Sequence, residues 1–336
     1  SPGISIHVAG SDLSGSGGQG IIQTTAPTLI RDSVFVGNSA SGGTAALNFL
    51  LMAWDTNQSF PGDVGGHGGA SGIVFHNDIE ITGSTFYNNH ADGGDGADDS
   101  DGENGPLIAT SPGKGGSGVI SHLSGGCANI DLDYTARIIN STFSTNTANG
   151  GKGGDGHTPD GYNGGAGGTA LFVVEDYHFQ ALHLSLVGNE AQGGAGGTSP
   201  GMPGTDGDGG SLLRRDPQCQ HPSTLTLGNS LLAANQGALC VGEMLLAGNN
   251  FADTSDCGIV DGLSGVDPVL ADHGGFTPTH ALLPDSNARD AADSALCEET
   301  GGVDQRGWAR DPPATGACDI GAFEYNPVRL FGHGFE

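Results

Sequence analysis

The chain has 336 residues, 63 of them glycine, and its 38 acidic residues outnumber 10 basic ones for a formal charge of −28. Such a field repels nucleic acid and anionic polysaccharide and attracts cations, calcium above all. No apolar run reaches the ~20 residues that a membrane-spanning helix needs, so no transmembrane segment is predicted.

Glycine is clustered, and the runs between clusters are rich in Val, Ile, Leu, Phe and Thr, as strands are. Residues 4–8 read as β-like with no capping helix before them, and residues 45–54, broken by Asn48, as a buried or interface strand. A repeat then emerges. Ser33-Val-Phe-Val-Gly-Asn38-Ser-Ala40 aligns without gaps with the segments beginning at Ser84 and Ser141, then with Leu184 to Ala191 and Ser230 to Asn235. The template is S-x-F-x-x-N-x-A, and self-similarity of this kind marks a stacked architecture. Phe35, Phe86, Phe143, Leu186 and Leu232 are expected to form an interior apolar column. Asn38, Asn89, Asn146, Asn189 and Asn235 are expected to stack as a structural ladder at one corner, where Asn also tolerates left-handed backbone.

The asparagines lie 43 to 57 residues apart, more than a simple rung needs. The surplus is glycine-rich sequence over 93–116, 150–168 and 193–210, framed by Gly-Gly pairs, after which new strands follow, as at 72–75 and 170–174. Runs such as 150–156 suit polyproline II, which glycine adopts without side-chain obstruction. Neighbouring loops are expected to pack as an ordered layer. The pattern predicts an all-β fold, a right-handed parallel β-helix (solenoid) with long glycine-rich polyproline-II loops. Rungs occupy 1–235, further rungs and a cap 236–325, and a tail 326–336.

Six cysteines without CxxC spacing suggest disulfides and an oxidising compartment. Chain neighbours would pair Cys127 with Cys219, Cys240 with Cys257 and Cys297 with Cys318, although sequence leaves the connectivity open. The start at Ser1 is read, as an expectation, as that of a processed secreted chain. Calcium is the candidate cofactor. Gly93-Gly-Asp-Gly-Ala-Asp98 partly matches a calcium-binding glycine repeat, with Asp99, Asp101, Asp206 and Asp208 as further oxygen donors. Ser100 breaks the match, and solvated loop carboxylates are the plainer reading. The twelve histidines show no metal-ligand spacing.

In the last hundred residues, Gly265-Val-Asp-Pro-Val-Leu270, Gly274-Gly-Phe-Thr-Pro-Thr-His-Ala-Leu-Leu-Pro284, Asp304-Gln-Arg-Gly307 and Cys318-Asp-Ile-Gly-Ala-Phe-Glu324 occur in order. This arrangement, with the repeats, resembles bacterial choice-of-anchor and polymorphic-outer-membrane-protein-like β-helix proteins. Ser286-Asn-Ala-Arg-Asp-Ala-Ala292 departs from the family pattern. The resemblance implies a secreted or surface-displayed protein of a Gram-negative bacterium and carries over no catalytic residues. The tail, with Leu330, Phe331 and Phe335, looks like the terminal segments ending in Gly-Phe-Glu on some secreted bacterial proteins, read either as a sorting or docking element or as an extended end lying on the last rung.

No nucleophile elbow, zinc-protease helix or phosphate loop occurs. Arg289, Arg306 and Arg310 are expected to pair with Asp290, Asp304 and Asp311 rather than to serve a lyase. The acidic residues cluster in a loop unsuited to the rigid carboxylate pair of a glycosidase. The expected function is a secreted or cell-surface structural protein, not an enzyme, that self-associates into a fibre or matrix through its open ends. The alternatives are an adhesin binding glycan or another partner, and a β-helix polysaccharide lyase or glycoside hydrolase.

Overall fold

A computed structural model describes residues 22–24, 26–42, 70–75, 77–96, 98, 114–116, 118–122, 135–156, 163–174, 178–215, 224–259, 262–310 and 317–326. The first repeat holds β1 (Ile22–Thr24), β2 (Thr28–Arg31) and β3 (Val34–Val36), and the second β4 (Ala70–Phe75), β5 (Ile79–Thr82) and β6 (Thr85–Tyr87). The third holds β7 (Gly118–His122) and β8 (Thr135–Ser144), and the fourth β9 (Thr169–Val174) and β10 (His178–Val187). The fifth holds β11 (Ser211–Arg215), β12 (Thr224–Gly228) and β13 (Leu231–Ala233), and the last β14 (Ala238–Val241), β15 (Leu245–Ala247) and β16 (Phe251–Ala252). A short helix, α1 (Ser294–Glu299), follows, with Asp293 as its N-cap.

Every strand pairing is parallel and joins equivalent strands of successive repeats. One sheet runs β1-β4-β7-β9-β11-β14 and the other β15-β12-β10-β8-β5-β2, so the protein is all-β with parallel sheets. The core lies between the sheets. Phe35, Phe86 and Phe143 stack face to face with centroids 4.7 and 4.6 Å apart. Phe143 meets Phe172 of the other sheet edge-on at 4.9 Å.

Two columns of left-handed residues bend each repeat. Asp32, Gly83, Asn140, His183, Asn229 and Gly248 have φ between +47° and +62°. Gly37, Asn88, Thr145, Gly188 and Ala234 have φ between +52° and +67°. The ladder asparagines are absent from both. The left-handed residue is the one before each of them, which corrects the expectation for that corner.

Past β16 the chain turns back along the outer face of the second sheet as a strap. The outward column Thr85, Thr142, Ser185 and Leu231 is buried beneath it. Gln305 acts as a bolt: its Oε1 accepts from the Thr142 hydroxyl at 2.6 Å, and its Nε2 donates to Thr85 Oγ1 at 2.8 Å and Thr277 Oγ1 at 2.9 Å. Further along, Ala322 N–H donates to Ser185 Oγ and Gly321 N–H to the Asn229 carbonyl. The strap thus ties four repeats together from the side. Cys297 and Cys318 lie at disulfide distance within it, and Cys240 and Cys257 do so at the last repeat, with Cα separations of 6.6 and 6.0 Å. Cys127, Cys219, residues 4–8, residues 45–54 and the tail with Leu330, Phe331 and Phe335 lie outside the described residues. Among the described residues no helix is long and apolar enough to cross a membrane.

Gln305→Leu leaves the buried Thr142 hydroxyl without its acceptor, while Thr85 and Thr277 still donate to the Pro278 and Gly83 carbonyls, a loss of ~1–3 kcal/mol. Urea unfolding of this variant is expected to give a midpoint clearly below that of the parent.

Candidate functional site

The repeated residues meet at the corner where each glycine-rich segment leaves the stack. Asn38 Nδ2 donates to Asn89 Oδ1 at 2.7 Å, Asn89 to Asn146 at 2.8 Å, Asn146 to Asn189 at 2.9 Å and Asn189 to Asn235 at 3.0 Å. Each of the first four also donates its backbone N–H to the same oxygen. The remaining Nδ2 hydrogen turns inward: Asn89 bonds the Phe35 carbonyl, Asn146 that of Phe86 and Asn189 that of Phe143. The amides of Asn38, Asn89, Asn146 and Asn189 are buried, so full pairing matters there.

The serine of the template forms a second ladder that composition and pattern did not reveal. Ser84 Oγ accepts the Ser33 N–H, Ser141 Oγ that of Ser84, and Ser230 Oγ that of Leu184. The hydroxyls of Ser84, Ser141 and Ser230 each donate to the carbonyl two residues back, closing a local turn. A small hydroxyl recurring beside a left-handed residue was the available signal.

The buried alanines Ala91, Ala148 and Ala191 form the junction between outgoing and returning glycine legs. Their carbonyls accept from Gly116, Gly168 and Gly210, so each leg re-enters where it left. The described parts of the legs are hydrogen-bonded to one another. Outgoing, Gly93 and Gly96 donate to the carbonyls of Asn149 and Lys152, and Gly150, Gly153 and Gly156 to those of Gln192, Ala195 and Thr198. The period of three is that of polyproline II. Cross-links join outgoing and returning legs, as from Gly165 to Gly151 and Gly194 to Gly165.

The intervening N–H groups are taken by side chains of the preceding repeat. Asp92, Asp95 and Asp98 accept from Asn149, Lys152 and Asp155, while Asn149 and Asp155 accept from Gln192 and Thr198. Polar residues recur at every third position where the neighbouring backbone takes an acceptor, as at Asp92, Asp95, Asp98, Asn149 and Asp155, although Ala195 stands in the same series. Glycine lies between them where a Cβ has no room: on Gly150, Gly164 or Gly194 it would stand 1.8–1.9 Å from a carbonyl oxygen of an adjoining leg.

This geometry bears on the carboxylates considered for calcium. Asp98 is held on the Asp155 N–H and Asp206 on the Gly196 N–H, while Asp208 is exposed. Asp99 and Asp101 lie outside the described residues. Among the described residues, neither group of three side chains close enough to share an ion, His183 with Cys297 and Cys318 or Cys240 with Asp256 and Cys257, includes Asp98, Asp206 or Asp208. The cysteines in both groups lie at disulfide distance from each other.

The strongest electrostatic perturbations lie under the strap. Arg306 binds Asp304 Oδ2 through Nε at 2.8 Å and Nη2 at 2.6 Å, between the rings of Trp308 and Phe323. Arg310 reaches Glu324 Oε2 at 3.3 Å, Asn140 Oδ1 at 2.9 Å and the Gly321 carbonyl at 2.8 Å. Its described carboxylate partner is Glu324, not the expected Asp311, which lies outside the described residues. Arg289 sits over the Tyr325 ring and donates to the Pro284 carbonyl. The motifs of the C-terminal region thus build this network. Burial and the nearby Asp319 push the Glu324 carboxyl up to about 8. Burial and the Arg310 charge push His183 down to about 2. No protein-family model, curated protein or solved structure matches the chain.

Two outcomes follow from this geometry. Gly194→Ala places a methyl 1.9 Å from the Gly151 carbonyl, whereas at Gly209 the nearest atom is 4.0 Å away. Limited proteolysis should therefore cut the glycine legs of the Gly194→Ala variant at least tenfold faster while leaving Gly209→Ala near the parent. Folded His183 stays neutral while the unfolded chain takes up a proton below about 6.5, so its contribution to stability is lost as pH falls from 6.5 towards 2. Folded Glu324 keeps its proton up to about 8 and the unfolded group only to 4.5, so its contribution is lost as pH rises between those values. Each limb slopes at about 1.4 kcal/mol per pH unit. Urea titrations across pH should show greatest stability between 4.5 and 6.5, with His183→Asn flattening the acid limb and Glu324→Gln the alkaline one.

Proposed function

We propose that this chain is a right-handed parallel β-helix serving as a secreted or cell-surface structural protein that self-associates into a fibre or matrix. Support for the β-helix comes from the parallel pairing of equivalent strands in successive repeats, since parallel crossovers are right-handed in nearly all proteins. Secretion is favoured by the two cysteine pairs at disulfide distance.

One observation carries the structural reading: the residues that recur are engaged with the next repeat. The template's asparagines bond asparagines, its serines bond backbone, its alanines join the glycine legs, and the polar residues between glycines hold neighbouring N–H groups. An enzyme of the lyase or hydrolase kind needs ionisable groups converging on a site open to substrate. Here Asp304, Arg306, Arg310, Asp319 and Glu324 are buried under the strap, engaged with one another and with backbone.

Negative-stain electron microscopy across a concentration series provides the test. Elongated or sheet-like assemblies that lengthen with concentration are expected, and dispersed monomers at the highest concentration would overturn the reading.

A further inference from the structure

The second sheet ends in β15 on one side and in β2 on the other. Because each junction inside the sheet is made in one register, the column occupied by every residue can be followed from end to end. Leu29, Glu80, Arg137, Gln180, Thr226 and Leu245 are consecutive members of one outward column. Its four inner members are polar or charged, yet both ends are leucine, 56% exposed at Leu29 and 48% at Leu245. The adjoining inward column runs Ile30, Ile81, Ile138, Ala181, Leu227 and Leu246. It is buried throughout except at Leu246, which is 40% exposed.

Other parts of the last repeat are covered in places, although Val241 of β14 is also 48% exposed. Asp256 accepts the Leu239 N–H beside β14, Asp253 accepts the Ala234 N–H, and Leu263 donates to the Ala252 carbonyl of β16. Cys257 and Ile259 pack against the core there. Among the described residues β15 is left with an open edge and with leucines exposed on both faces. An open apolar edge strand invites another strand.

We infer that β15 of one chain pairs in parallel with β2 of a second copy, continuing the sheet head to tail with Leu245 opposite Leu29, Leu246 opposite Ile30 and Ala247 opposite Arg31. This interface rests on the self-association proposed above and gives it a location. Three features favour a second copy as occupant. The contact repeats the register of the internal junctions, it buries a leucine against a leucine at the ends of an otherwise polar column, and it covers the exposed end of the inward column. Such a contact is heterologous and propagates where its rotation does not close a ring.

Sedimentation velocity of the full chain, with Leu29→Lys, Leu245→Glu and the double variant, tests the inference. Both sites are exposed, and a thermal melt of each variant verifies folding. Each single change sets a charge against a leucine and is expected to weaken association at least tenfold. The double variant, and an equimolar mixture of the two single ones, sets the introduced ammonium against the introduced carboxylate and is expected to restore association. Assembly unaffected by either single change would overturn the interface and leave self-association standing. A parent that stays monomeric at every concentration would overturn both.

Discussion

A side-chain amide buried in an apolar stack must have its donors and acceptor paired, and that requirement disciplines the corner at which the repeats meet. Asn38, Asn89, Asn146, Asn189 and Asn235 meet it by passing one hydrogen bond per repeat along the corner. A one-residue slip would set Asn89 opposite Thr145 or Thr147 instead of Asn146 and leave the amides unpaired, a penalty of several kcal/mol in a low-dielectric interior. The ladder therefore sets the register in which the phenylalanines stack and the strands pair. It tolerates the left-handed residue before each asparagine because the bend brings the amide to its neighbour.

The fixed corner also explains how the described parts of the glycine segments come to pack on one another. Each begins after an alanine whose carbonyl takes the N–H of the returning glycine. With both ends held, adjacent legs lie side by side at backbone contact distance, closer than any Cβ allows at Gly150 or Gly194. Glycine costs conformational entropy on ordering, and the hydrogen bonds along and between legs offset it. The carboxylates of Asp92, Asp95 and Asp98 contribute to the same layer, as acceptors for the next leg.

The strap answers a different need. A stack joined only to its neighbours gains stability one interface at a time, whereas a segment touching Thr85, Thr142, Ser185 and Asn229 makes four repeats respond together. Its buried charges hold each other: two guanidiniums face Asp304, Asp319 and Glu324, and the surplus carboxyl is eased by keeping its proton.

Sequence determined the repeat, its period and the chemistry of each repeated position, because those contacts join like to like. Phe86 meets Phe35, Asn89 meets Asn38, and Gly-Gly pairs frame legs that pack on other legs. The cysteine partners Cys240–Cys257 and Cys297–Cys318 were likewise legible as chain neighbours. The lateral course of the strap, the partnering of Arg310 with Glu324 and Asn140, and the bolt made by Gln305 were not. Those contacts join unlike residues as many as 220 positions apart, and no periodicity announces them. Only the tertiary structure decided which outward face was covered, because that depends on where a non-repeating segment folds back upon a repeating one.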